Sequence, residues 1–188
     1  MKIICYGDSN TYGYDGDAVF GGRFPPEARW PELLGRALGC EVVNRGLNGR
    51  RVPRFRRSAE ADLALLKSTG DRALILAMLG TNDILAEAGA QDVAAHMRGF
   101  LTALVGAMPE SAVLLCAPPP LTLPGEGFEQ RFAELAEEYA AVAAELGVLF
   151  VDTAPWQIPT GGDGIHFSAR GHRLFALKMG QTIRKMLQ

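Results

Sequence analysis

Several things that this sequence lacks narrow its function before any motif is read. Only three cysteines are present, Cys5, Cys40 and Cys116, an odd number with no C-x-x-C pair and no clustered metal ligands around them. They indicate neither a disulfide framework nor a zinc site and read as small core residues. No stretch approaches the roughly twenty apolar residues that cross a membrane. The first residues run into a Gly-Asp turn at Gly7 and Asp8, too soon for the apolar region of a signal peptide. A cytoplasmic location without a membrane partner is expected. Neither sign of charge dominates, with 19 Lys and Arg against 21 Asp and Glu, a net charge of −2. Such a chain has no overall basic field to draw it to nucleic acid. No G-x-G-x-x-G or P-loop pattern follows the first apolar run, so the usual phosphate cradle of a nucleotide-binding module is missing.

What is there is the composition of an ordinary globular protein, 48% hydrophobic and 21% charged over 188 residues. A chain of this length buries roughly 70% of its unfolded surface and needs no metal or disulfide to stabilise a core. No repeat, low-complexity tract or linker divides it, so residues 1–188 are expected to form one domain. Short β-rich runs at 2–6, 41–44, 72–79, 111–117 and 148–152 alternate with helical periodicity at 30–38, 58–67, 91–108, 127–146 and 168–187. That alternation is the α/β signature. The run 72–79 is almost continuously apolar, as a strand covered on both faces should be. In 127–146, Phe128, Phe132, Leu135, Tyr139, Val142 and Leu146 recur at helical steps, with Glu129, Glu134, Glu137 and Glu138 on other faces.

The polar residues capable of chemistry follow the strands, and in open α/β sheets ligands bind at the carboxyl ends of the strands. Just past the first strand, Gly7-Asp8-Ser9-Asn10-Thr11 presents a serine on a glycine turn, although each polar residue there could equally cap a turn or a helix. A serine hydroxyl is a poor nucleophile without a base in reach. Only three histidines compete for that role. His96 lies inside a helix four residues after Asp92 and pairs with it; His172 is one turn into the last helix, where packing or solvent accounts for it. His166 differs, lying in the glycine-rich loop Gly162-Asp163-Gly164-Ile165-His166 before a helix that Ser168 can cap. Asp163 precedes it by three residues, so one turn lets the carboxylate reach Nδ1 and leaves Nε2 for the serine. A metal or a plain turn also uses D-x-x-H; the metal reading lacks a third ligand at helpful spacing, with Asp152 as the one remaining donor. Oxyanion donors could come from Gly80-Thr81-Asn82-Asp83, through the Asn82 amide, and from Asn44-Arg45-Gly46-Leu47-Asn48, through the Gly46 N–H; either could equally be turn or cap residues.

Taken in order, these four segments resemble the blocks that name the SGNH or GDSL hydrolases, and the resemblance spans nearly the whole chain. It implies a flavodoxin-like three-layer α/β/α sandwich with a five-stranded parallel sheet of order 2-1-3-4-5. It implies Ser9 as nucleophile, Asp163 and His166 as the rest of a triad, and Ser9, Gly46 and Asn82 as the oxyanion hole, with no cofactor or metal. The first block reads GDSN where the family's naming motif has leucine, a change at Asn10 that leaves the catalytic groups intact. The blocks Gly46-Leu47-Asn48-Gly49-Arg50, Arg23-Phe24-Pro25-Pro26-Glu27 and Arg29-Trp30 are further similar to the arylesterase and acyltransferase branch. The expected partner is a small-molecule ester with a short acyl group, with acyl transfer as a side activity; a homo-oligomer is compatible with the sequence.

Asp8, Asn10, Tyr12, Trp30, Asn48, Pro119, Trp156 and Ile165 lie in or beside strand-end loops and are the candidates to line the substrate pocket, although both tryptophans fit a core equally well. The arginines at 50, 51, 54, 56 and 57 read as a solvated or subunit-facing loop, or as an anion-attracting rim. Two rivals use the same fold without hydrolysis: a flavodoxin-like module binding nucleotide or phosphate at these strand ends, and a catalytically dead relative acting as a carbohydrate-binding or scaffold protein.

Overall fold

In the computed structural model, which describes residues 2–70, 72–123 and 127–186, five strands form one parallel sheet. They are β1 (Lys2–Gly7), β2 (Glu41–Gly46), β3 (Leu74–Met78), β4 (Ala112–Ala117) and β5 (Leu149–Asp152). Their spatial order is β2-β1-β3-β4-β5, and every pairing is parallel. Because side chains alternate across a strand, the sheet builds two cores. Ile4, Tyr6, Ile75, Ala77, Val113 and Leu115 face α3 (Arg56–Lys67), α5 (Ala90–Ala107) and α6 (Phe128–Leu146). Ile3, Cys5, Leu74, Leu76, Leu114 and Cys116 face α2 (Trp30–Leu38) and α7 (Ala169–Met186). The flavodoxin-like three-layer sandwich expected from the resemblance is therefore the observed architecture, with both sheet faces covered.

The long elements sit where the sequence places them. Helix α2 starts after the extended Arg29, carries Pro31 in its first turn and stops at Gly39, whose φ of 63° suits a left-handed cap. The first two strands run one and two residues further than their apolar patterns, because the ladder continues to the pair Gly7 and Gly46. The third, fourth and fifth start one or two residues later than expected. Two short helices escape prediction, α1 (Ser9–Tyr12) and α4 (Thr81–Leu85), since four and five residues cannot display a hydrophobic period. Each follows directly on a strand end, and so does a 3₁₀ turn at Ala154–Trp156. The last helix is described to Met186, so its expected final residue Leu187 lies outside the described residues. No helix among the described residues is long and apolar enough to cross a membrane.

Candidate active site

Ser9 owes its position to two glycines. A Cβ on Gly7 would lie 2.1 Å from Thr11 Oγ1, and one on Gly46 would lie 2.0 Å from the Tyr12 nitrogen. Any side chain at the ends of β1 and β2 would push α1 off the sheet edge; glycine lets it settle there. Asp8 caps α1, its Oδ1 accepting the Asn10 N–H at 2.9 Å. Burial pushes the Asp8 carboxyl up to about 6, against the opposing hydrogen bonds from Asn10 and Thr81. Ser9 is held at the start of α1, 7% exposed, with its Oγ turned toward the loop before α7.

That loop carries the other two groups. Asp163 accepts the backbone N–H of Ile165 and of His166 on Oδ1, both at 2.9 Å, so one carboxylate oxygen folds the turn. Its other oxygen accepts the His166 Nδ1–H at 2.6 Å, and His166 Nε2 in turn accepts the Ser9 hydroxyl at 3.0 Å. Partial burial raises the Asp163 carboxyl, but the hydrogen bonds from His166 and Ile165 outweigh it and hold it below the usual carboxylate range. The Tyr14 ring lies 4.5 Å from the imidazole, a neighbour that no sequence signal had singled out. Ser168 caps α7 as its sequence suggests, its Oγ accepting the Gly171 N–H at 3.1 Å.

The expected oxyanion donors need one correction. The Gly46 N–H donates to Asn44 Oδ1 at 2.9 Å, so it is committed to β2 and its glycine is there for the close approach of α1. Three residues on, Gly49 takes a φ of 72° at an exposed turn, and its N–H has no hydrogen-bond partner among the described residues. Sequence reasoning missed it because both glycines lie in one block and only the fold tells a strand end from a loop tip. Asn82 donates one amide hydrogen to the Arg50 carbonyl at 3.0 Å, which sets the 49–50 stretch beside it. Among the described residues, no hydrogen bond engages the Ser9 N–H.

Of the expected pocket residues, Trp30, Asp8 and Asn10 are interior, at 0%, 1% and 4% exposure, and support the site instead of lining it. The Trp30 indole donates to the Asn10 carbonyl at 3.0 Å, and its ring packs on Phe175. Pro119 is buried as well, and Trp156 is half-buried with its edge toward Phe175. Tyr12, Asn48 and Ile165 keep exposed surface at the strand ends. Of the other histidines, His96 Nδ1 bonds the Asp92 carbonyl at 2.8 Å, while His172 is buried, accepting the Trp30 N–H at 3.3 Å.

The arginine run divides. Arg50 is half-buried under the site, its side chain donating to the carbonyls of Gly7 and Arg45, pairing with Asp62 at 3.5 Å and lying over the Tyr6 ring. Arg54 pairs at 3.3 Å with Asp83, which is fully buried and also accepts the Val52 N–H. Only Arg51, Arg56 and Arg57 answer the description of a solvated loop; the other two tie it down. Asp152, the remaining metal candidate, accepts the Ala154 N–H at 2.9 Å and caps a turn.

Residues 5–174 match the family model of the GDSL-like lipase/acylhydrolase family. The chain belongs to that family. This GDSL hydrolase is accordingly a carboxylic ester hydrolase by class, and the rival of a nucleotide-binding module falls away. Solved structures agree. An aryl esterase from M. smegmatis is 31% identical, with 98% of each chain covered and a TM-score of 0.81. A carbohydrate acetylesterase family member from Sinorhizobium meliloti is 30% identical over 99% of this chain and 98% of its own, with a TM-score of 0.83. A carbohydrate acetylesterase from the same organism is 25% identical over 98% and 99%, with a TM-score of 0.81. No curated protein sequence matches.

Proposed function

We propose that this GDSL hydrolase is a serine esterase that cleaves short-chain, acetyl-type esters through an acyl-enzyme on Ser9. The observation that carries the reading is the unbroken chain Ser9 Oγ–H to His166 Nε2, at 3.0 Å, and His166 Nδ1–H to Asp163, at 2.6 Å. His166 takes the Ser9 proton as Oγ attacks the ester carbonyl; Asp163 fixes the tautomer and stabilises the imidazolium. The oxyanion is held by the Ser9 N–H, the second amide hydrogen of Asn82 and, in place of Gly46, the unengaged N–H of Gly49. The imidazolium then protonates the departing alcohol. In the second half His166 removes a proton from water, the resulting hydroxide attacks the acyl carbon, and Ser9 leaves with that proton restored to Oγ. An alcohol in place of water gives acyl transfer by the same steps.

Acetyl esters of aryl alcohols or sugars are the favoured substrates, in keeping with the similarity to an aryl esterase and to carbohydrate acetylesterases. Tyr14, whose ring lies against His166, and Tyr12, Asn48 and Ile165 at the strand ends retain surface to receive them. The test is hydrolysis of p-nitrophenyl esters from acetate to long chains, with a chelator present, by the wild type and by Ser9→Ala. Turnover that falls with chain length and disappears in Ser9→Ala is the expected result. Serine-independent turnover, or none on any ester, overturns the reading.

A further inference from the structure

The residue after the nucleophile is Asn10, and all four of its polar groups are engaged. Its N–H donates to Asp8 Oδ1 at 2.9 Å, and its carbonyl accepts the Trp30 indole N–H at 3.0 Å. The carboxamide reaches across the site. Oδ1 accepts the Phe167 N–H at 2.8 Å, and Nδ2 donates to the Ile165 carbonyl at 3.3 Å. Those two peptide groups belong to the residues immediately before and after His166. One side chain on the serine turn therefore grips the histidine loop on both sides of the base, in a site where Asn10 is 4% exposed and Phe167 is 2% exposed.

We propose that Asn10 is a positioning residue that keeps His166 Nε2 in register with the reacting carbon after the Ser9–His166 hydrogen bond has been lost. Before acylation, Ser9 and His166 hold one another directly, at 3.0 Å. Once Oγ carries the acyl group it has no hydrogen to donate, and the direct link is gone. Asp163 still orients the ring from the far side, but Asp163 belongs to the same loop and moves with it. The Asn10 bridge is anchored outside that loop, through Asp8 on one side and the buried Trp30 on the other. Leucine, the residue of the naming motif, can make neither bond and would leave a buried N–H and carbonyl unpaired in this packing. The asparagine thus adds a tether that leucine cannot supply, and deacylation is the step that depends on it.

The inference rests on the acyl-enzyme reading, so Ser9→Ala is assayed beside Asn10→Leu and the near-isosteric Asn10→Asp, with p-nitrophenyl acetate in stopped flow. In the Asn10 variants the initial burst, equal to one p-nitrophenol per active site, is retained while the steady rate falls at least tenfold. KM falls with kcat, because acyl-enzyme accumulates. Asn10→Asp tests the same point without a change of shape, in assays at about pH 8, well above the carboxylate range: its ionised carboxylate keeps the acceptor for Phe167 but faces the Ile165 carbonyl with no donor. It loses steady rate as Leu does, while a thermal melt shows it still folded at the assay temperature. Wild-type steady rates in a folded Asn10→Asp protein, or loss of burst and steady rate in equal proportion, overturn the tether. If Ser9→Ala itself gives a burst, the acyl-enzyme reading fails instead.

Discussion

Ser9 and His166 meet at one point from opposite constructions. Ser9 stands at the first residue of a helix that grows straight out of β1, and its place is set by backbone: a strand register, two glycines and a capped turn. His166 stands on a loop of irregular backbone, and its place is set by side chains. Asp163 folds the turn, Asn10 grips it from the serine side, and Asp17 accepts the Gly162 N–H at 2.7 Å from the long α1–α2 loop. The difference teaches where each half is vulnerable. Backbone-built geometry fails through steric change, whereas geometry built from side chains fails through the loss of a polar group.

The largest effect falls on the chemistry that the two halves share. Ser9→Ala lowers kcat by about 10⁴-fold or more without unfolding the protein, checked by ester assay and thermal melt. On the histidine half, Asp163→Asn costs a further test: a kcat loss of about 10³ to 10⁴-fold is expected, because the amide no longer selects the working tautomer. A loss below about tenfold would mean that the backbone alone positions His166. Asn82→Ala removes one of the proposed oxyanion donors and is expected to lower kcat by about 10² to 10³-fold with little change in KM.

On the serine half the sharper tool is bulk. Gly46→Ala puts a Cβ 2.0 Å from the Tyr12 nitrogen, so α1 must move and the protein is expected to lose more than about 3 kcal/mol, read from urea melts. Gly49→Ala meets nothing within 4 Å and strains only its φ of 72°, which costs about 1 kcal/mol and leaves the N–H in place. Similar losses of stability in both variants would dissolve the distinction between strand end and loop tip.

A further effect concerns pH. Asp8, under the serine, is raised from 3.8 to about 6, so in that window the unfolded chain releases its proton first and stability falls as pH rises. His172, behind the histidine loop, is lowered by burial from 6.5 to about 4, so the unfolded chain binds its proton first and stability rises with pH across nearly the same window. The two trends oppose one another in the wild type. Asp8→Asn removes one of them, so stability should climb more steeply between pH 4 and 6.5, by on the order of 2 kcal/mol, in melts at stepped pH. An unchanged slope would place the titration elsewhere.

Local signals in the sequence carried far. The apolar runs located all five strands, and the helical period located the five long helices to within about two residues, because burial of one stripe leaves its period in the residue order. Asp163 and His166 were legible as a pair because three residues of spacing fix their approach; Ser9, whose turn could equally have been a cap, stood out only together with the other three segments and the resemblance they carry. Gly46 was misread, since whether an N–H is free depends on its neighbours in space: the Asn44 side chain takes it. Trp30 was misplaced for the same reason, for a tryptophan beside a strand end can face either the cleft or α7, and packing on Phe175 decides.

The sequence by itself determined the α/β order, the three residues of the proposed triad and the strand ends that carry them, because each is written in spacing over a few residues. Only the tertiary structure decided which donors are free, which arginines of the run are tied down by ion pairs to Asp62 and Asp83, and that Asn10 spans from the serine turn to the histidine loop. That bridge joins residues 155 and 157 apart in sequence, and no local pattern encodes a hydrogen bond whose partners meet only when β1 and the start of α7 are packed against the same edge of the sheet.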